Sequence, residues 1–337
     1  MAIDKENLTN RLSRINLRKI VQLVSLLIIA VAAVQLYLFV HGIAQDGAAS
    51  AFTYRPAVQE GFLPIGALMA AKYWLLTGIY DPVHPAGLTI LLLALAVSLL
   101  FRRGFCSWFC PVGTVSEWLG ILGERFLGKK DRRLPAALHY ILMVLKYLLL
   151  ILILYYFLLQ STEFISQFMN NSYYYVADIR IMEFWQDAGA GVFIFLAVMA
   201  VLSMIYKNFW CRYLCPYGTL LSLTGLLSPL GIVRNKESCI NCSSCSRACP
   251  NKIDVAAKSR VNSVECTACL NCVRACPQAK TLTPKWFGIP MTPAGVAISL
   301  AAFYFGAVLL AKITGHWQTV ITFNDYVQLL GSSKIGP

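Results

Sequence analysis

The sequence predicts an all-α polytopic membrane protein of about five transmembrane helices in a two-fold parallel repeat, with a small α+β domain inserted ahead of the last helix. Three observations predict it. The 337 residues are 58% hydrophobic and only 13% charged, against about 25% charged in soluble chains. Long apolar runs recur, with basic residues at their edges. All twelve cysteines fall into four compact groups, and none lies inside an apolar run.

The first element is a polar, basic segment, 1–19, with Lys5, Arg11, Arg14, Arg18 and Lys19. A run over 20–40 follows, close to the ~20 residues that a bilayer core demands. It is longer than the apolar region of a signal peptide and reads as an uncleaved anchor. Further spans are expected at 87–101, 135–159, 189–206 and 292–311. The stretch 62–80, with Trp74 and Tyr80, reads as a re-entrant or interfacial helix. Orientation follows from Lys and Arg at span ends. The segment 102–133 holds Arg102, Arg103, Arg125, Lys129, Lys130, Arg132 and Arg133, whereas 41–86 and 160–188 are poor in basic residues. The N-terminus, 102–134 and 207–290 are therefore expected in the cytoplasm of a bacterial inner membrane, with the C-terminal tail outside. The aromatic loop 160–188 reads as an interfacial belt. The net charge of +13 fits positive-inside topology and anionic lipid, and nucleic acid is not an expected partner. Five segments result: 1–19; 20–134 and 135–230, the two membrane repeats; 231–290, the inserted domain; and 291–337, the last span and tail.

The repeat shows at an offset of 105 residues. Cys106, Cys110, Pro111, Gly113 and Thr114 align with Cys211, Cys215, Pro216, Gly218 and Thr219, Arg102 aligns with Lys207, and Gly120 aligns with Gly225. Each unit is a span, a basic residue, a C-x3-C-P-x-G-T motif and a short amphipathic segment. Both descend in the same direction, which makes the repeat parallel about an axis along the membrane normal.

The inserted domain carries Cys239-x2-Cys242-x2-Cys245-x3-Cys249-Pro250 and then Cys266-x2-Cys269-x2-Cys272-x3-Cys276-Pro277. This is the run of bacterial two-cluster ferredoxins, in which the fourth cysteine ligates the other cluster. One [4Fe–4S] cluster is expected on Cys239, Cys242, Cys245 and Cys276, and the second on Cys266, Cys269, Cys272 and Cys249. Zinc ribbons pair two C-x2-C knuckles per metal and lack the C-P fourth ligand.

The two C-x3-C-P motifs are less specific. A residue before proline avoids the α region, which places Cys110 and Cys215 at helix N-caps. With Arg102, Arg103, Lys207 and Arg212 nearby, a thiolate-favouring setting is expected. Three readings stand: an additional iron–sulfur or metal site on Cys106, Cys110, Cys211 and Cys215; a redox-active dithiol pair; and structural cysteines at a turn. Lys146 lies inside the third span, which reads either as a functional charge or as a snorkelling side chain. His41, His84, His139 and His316 show no ligand spacing. Glu117 and Glu124 lack acidic counterparts in the second repeat, which argues for a solvated face. No Gly-rich phosphate loop is present.

The order of spans, paired C-x3-C-P motifs and tandem ferredoxin run over about 20–290 resembles the membrane iron–sulfur proteins typified by NapH, the membrane part of NosR and the FixG/CcoG proteins. The chain departs from that pattern in the span that follows the ferredoxin run. The resemblance implies electron transfer among cytoplasmic clusters, the membrane edge and a quinone or redox-protein partner such as a periplasmic reductase or cytochrome. A quinol dehydrogenase, a metal-ion reductase and a redox-sensing regulatory or maturation protein are the alternatives.

Overall fold

The computed structural model describes residues 17–46, 54–128, 134–278 and 280–332. Lys5, Arg11, Arg14, Lys129, Lys130, Arg132 and Arg133 lie outside them. The described chain is mostly helical. Three helices are long and apolar enough to cross a membrane: α1 (Leu17–Asp46), α6 (Ala136–Leu159) and α15 (Pro293–Ile313). Two further apolar helices, α3 (Pro85–Phe101) and α10 (Ala190–Ile205), have 17 and 16 residues. Both are shorter than the ~20 residues of a full crossing. Between α1 and α3 the chain makes a 3-10 turn, Ala57–Phe62, and α2 (Pro64–Thr77), which begins on a proline and stops at Gly78 with φ 76°. Proline at the first helical position and a left-handed glycine after the last are the expected start and stop signals.

The chain divides into two compact units. One comprises residues up to Ser25, Ala94–Leu150 and Phe195–Phe305. It contains both C-x3-C-P motifs, in α4 (Gly104–Trp108) and α5 (Pro111–Leu127) and in α11 (Phe209–Tyr213) and α12 (Pro216–Thr224). It also holds a four-stranded antiparallel sheet of order β2-β1-β3-β4, built from β1 (Gly231–Arg234), β2 (Arg260–Val261), β3 (Leu282–Trp286) and β4 (Ile289–Pro290). Ile232 pairs with Val261 on one side and Pro284 on the other. The sheet brings residues about fifty apart into register, and it folds the two cysteine runs back on each other.

The other unit comprises Leu26–Leu93, Ile151–Ile194 and Gly306–Pro337. Its core packs Met69, Leu88, Phe157, Ile165 and Met169 around Tyr174, with a second cluster of Leu36, Phe39, Ile179 and Tyr326. The aromatic stretch after α6 forms three short helices, α7 (Thr162–Met169), α8 (Ser172–Tyr175) and α9 (Ala177–Gln186), and α16 (Phe323–Ser332) follows α15. Ser161 and Asn171 cap α7 and α8 by accepting from Phe164 N and Tyr173 N. Such side-chain acceptors satisfy orphan donors of the first turn.

Candidate iron–sulfur centres

The tandem cysteine runs line two small cavities. Cys239, Cys242, Cys245 and Cys276 line one. Cys249, Cys266, Cys269 and Cys272 line the other. Each therefore takes three cysteines from one run and the fourth from the other. The local cause is the same twice over. Asn241 and Ser243 in the first run and Ala268 and Leu270 in the second, 27 residues on, all have φ between 49° and 60°. This turns the loop back before the one-turn helices α13 (Ser244–Arg247) and α14 (Asn271–Arg274). Left-handed non-glycine residues cost of order 1–3 kcal/mol each, so the surrounding fold must hold them in place. Such turns point backbone N–H groups into a concavity that suits the negative charge of a thiolate-bound cluster.

Among the described residues no three His, Cys, Asp or Glu converge on a single metal ion. A tetrahedral ion with metal–sulfur bonds of about 2.3 Å needs sulfurs roughly 4 Å apart. Four soft thiol donors lining one cavity are the donor set of a polynuclear iron–sulfur core. The electrostatics of the two cavities differ. Backbone N–H of Asn241 and the Arg234 guanidinium hold the Cys239 thiol below its ordinary value, and hydrogen bonds from Ser244 do the same for Cys242. In the other cavity burial dominates: it pushes Cys249 up to about 11 and raises Cys266 and Cys272, aided for Cys249 and Cys272 by neighbouring thiolates. Thiols so placed ionise only when a bound cation compensates them.

The C-x3-C-P motifs lie beside the second cavity. Ser107 Oγ donates to Thr267 O at 2.6 Å and Trp108 Nε1 to Ala268 O at 3.2 Å, so the first motif is tied to the loop that carries Cys266 and Cys269. Cys110 and Cys215 are the N-caps of α5 and α12, in extended conformation before their prolines, and Cys215 Sγ accepts from Gly218 N at 3.2 Å. The four cysteines of the two motifs act on one another electrostatically. Burial together with neighbouring thiolates pushes Cys110 up to about 12 and raises Cys211 and Cys215. Helix ends and basic neighbours favour thiolates, as the sequence predicts. Here desolvation and mutual repulsion outweigh them.

The motif glycines leave room for this approach. A Cβ on Gly113 would lie 2.0 Å from Cys106 O, and one on Gly218 would lie 2.7 Å from the Arg103 guanidinium. The repeats also touch reciprocally: Gly120 of the first faces Lys207 of the second, and Gly225 of the second faces Arg102 of the first. A wall of Phe105, Phe109 and Tyr217 closes the site together with Tyr304 of α15, whose ring stacks on Phe109 at 4.0 Å.

A family model described as "4Fe-4S binding domain" matches residues 83–130 and again 188–232, and a "4Fe-4S dicluster domain" model matches 231–277. The "Putative electron transport protein YccM" of Escherichia coli K12 is 36% identical over 296 residues, covering 85% of this chain and 82% of YccM. The chain belongs to the NapH/NosR-like family of membrane iron–sulfur electron-transfer proteins. Protein NirI of Paracoccus denitrificans is 30% identical over 159 residues, 46% of this chain and 22% of NirI. Ferredoxin-type protein NapH of E. coli K12 is 24% identical over 153 residues, 44% of this chain and 48% of NapH. No solved structure matches.

Several residues of this NapH/NosR-like chain matter through partners that spacing does not reveal. Lys146, inside α6, is fully buried and donates to Glu265 Oε1 at 2.6 Å, and Arg103 lies 3.4 Å from Oε2 of the same carboxylate. It does not snorkel. Glu265 stands immediately before Cys266, so α6 grips the sheet-bearing segment at the loop that lines the second cavity. Arg103 also donates to Cys211 O. Glu117 departs from the solvated-face expectation: it pairs with Arg18 and accepts from Gln22 at 3.0 Å, because the buried Arg18 needs a counter-charge. Glu124 pairs with Lys207 and stays partly exposed. His139 meets the Tyr213 hydroxyl at 3.0 Å. In the other unit, Arg55 bridges Asp178 and Glu60 and lies 3.1 Å from His84 Nδ1, while His84 Nε2 donates to Tyr174 O at 2.7 Å. The signal for these was a charge or histidine in apolar surroundings, without any indication of its partner.

Proposed function

We propose that this chain relays single electrons through two [4Fe–4S] clusters and a third iron–sulfur site, toward a quinone or an extracytoplasmic redox protein. Cys239, Cys242, Cys245 and Cys276 would hold the first cluster, and Cys249, Cys266, Cys269 and Cys272 the second. Cys106, Cys110, Cys211 and Cys215 would hold the third site. A bound cluster supplies reversible one-electron storage at a potential set by hydrogen bonds, charge and exposure. The chain's own residues provide those settings. N–H groups of the left-handed turns surround the first site, and burial isolates the second from water. Arg103 joins the second site to the third by facing Glu265 and donating to the Cys211 carbonyl.

The observation that carries the relay order is the pair of hydrogen bonds from Ser107 and Trp108 to Thr267 and Ala268. They put the C-x3-C segment against the loop of the second site, and the first site then becomes the outer end. The reciprocal glycine contacts support a two-fold parallel repeat. Five spans in a bacterial inner membrane, with the ferredoxin module cytoplasmic, complete the reading. Iron and sulfide counts with EPR on Cys106→Ser and Cys211→Ser test it. Loss of one signal with both ferredoxin signals retained is expected, and unchanged iron and spectra in both variants would rule out a third site. Reduction of the clusters by quinol without any partner would instead make the chain a quinol dehydrogenase.

A further inference from the structure

The two ferredoxin cavities differ in what surrounds them. All four cysteines of the second are buried. At the first, Cys242 is exposed and Cys239 and Cys276 are partly so. Ile240, between them, is 57% exposed and lines the same cavity. Basic residues neighbour this apolar point. Arg234 lies 3.4 Å from Cys239 Sγ and donates to Lys258 O at 3.3 Å. The backbone O of Lys236 accepts from Cys239 N at 3.3 Å, Lys236 and Lys258 are both exposed, and Arg247 acts electrostatically on Cys242. Lys280 is exposed beside Thr281, which lines the cavity. The carboxylates in this part of the module are Glu237 and Asp254, and Asp254 already accepts from Ser246 Oγ and Ala257 N.

We propose that this face is the docking surface for an acidic one-electron carrier protein of the flavodoxin or acidic ferredoxin kind. An apolar centre with a charged rim is the anatomy of a transient interface, and rim charges of one sign steer a partner of the other. The reduced carrier loses one electron, which passes to the site on Cys239, Cys242, Cys245 and Cys276. No bond forms or breaks and no proton moves, and the same surface serves the reverse transfer. The proposal rests on the ligand assignment above.

The test uses the full chain with reconstituted iron, in nanodiscs of neutral and of anionic lipid. Binding of a plant-type acidic ferredoxin is titrated at several salt concentrations, with a basic cytochrome c as the opposite-charge control. Wild type is expected to bind the ferredoxin in both lipids, more weakly as salt rises, and to prefer it over the cytochrome. K236E/K258E is expected to bind about tenfold more weakly with a shallower salt slope, with iron content and EPR unchanged. I240S is expected to weaken binding without changing the slope. Equal affinity in wild type and K236E/K258E, or no binding by wild type with both clusters present, overturns the proposal. Binding lost only in anionic lipid assigns the surface to headgroups and overturns it as well. If wild type itself lacks the first cluster's signal, the ligand assignment has failed, and the docking surface falls with it.

Discussion

Removing the charge of Lys146 tests whether a membrane helix anchors the ferredoxin module. At an effective dielectric of about 20, opposite charges attract by about 6 kcal/mol at the 2.6 Å separation of Lys146 and Glu265, and by about 5 kcal/mol at the 3.4 Å separation of Arg103 and Glu265. Desolvation offsets most of this, and breaking a buried pair costs about 3–5 kcal/mol net. Lys146→Met leaves Glu265 with Arg103, so the expected loss is at or below the low end, about 2–3 kcal/mol. Glu265→Gln strands two buried cations and is expected to cost more, about 3–5 kcal/mol. The double variant should be less damaged than the sum of the two, since both changes break the same Lys146–Glu265 pair and each single one leaves the other partner without it. Denaturant unfolding in detergent, followed by the visible absorption of the clusters, reads all three. Lys146→Met within about 0.5 kcal/mol of wild type, or strict additivity in the double variant, would refute the anchoring role.

Four other outcomes follow from the geometry. Gly113→Ala forces a Cβ against Cys106 O, so purified protein should lose iron from the site proposed on the C-x3-C-P cysteines while both ferredoxin EPR signals persist. In protein stripped of iron, Cys239 and Cys242 should alkylate at neutral pH well before Cys110 and Cys211, as read by mass spectrometry, because their thiols are lowered and the others raised. The same shift sets a pH dependence. Above the ordinary thiol value of 9.0 the unfolded chain loses the Cys110 proton while the folded chain keeps it to about 12, so melting of the stripped protein should hold to about pH 9 and then fall across that window. Arg55→Met leaves the buried Glu60 and Asp178 carboxylates uncompensated and should destabilise the chain by about 3–5 kcal/mol, with cluster signals unaltered in the fraction that stays folded.

What was legible in the sequence came from chemistry fixed by covalent spacing. Cysteines three apart, with a fourth before proline, can reach only certain corners of a cluster. An apolar run of about twenty residues satisfies its own backbone in lipid, which is why α1, α6 and α15 could be read directly. The prolines after Cys110 and Cys215 set the N-caps because a proline restricts the residue before it. Burial was not legible. The thiols of the C-x3-C-P motifs looked activated by helix ends and arginines, and desolvation reverses that balance once Phe109, Tyr217 and Tyr304 surround them. Lys146 was visible as an anomaly without its partner, because Glu265 lies 119 residues away.

The sequence by itself therefore determined the kind of protein: apolar spans, a duplicated C-x3-C-P motif and a tandem ferredoxin run. Only the tertiary structure decided which of the two cysteine-lined cavities lies beside the C-x3-C-P motifs and which holds an exposed cysteine. The two runs are identical in spacing, and the difference arises from long-range hydrogen bonds from Ser107 and Trp108 and from the ion pair of Lys146 with Glu265. Contacts of that range depend on how the chain folds back on itself, and local spacing does not encode them.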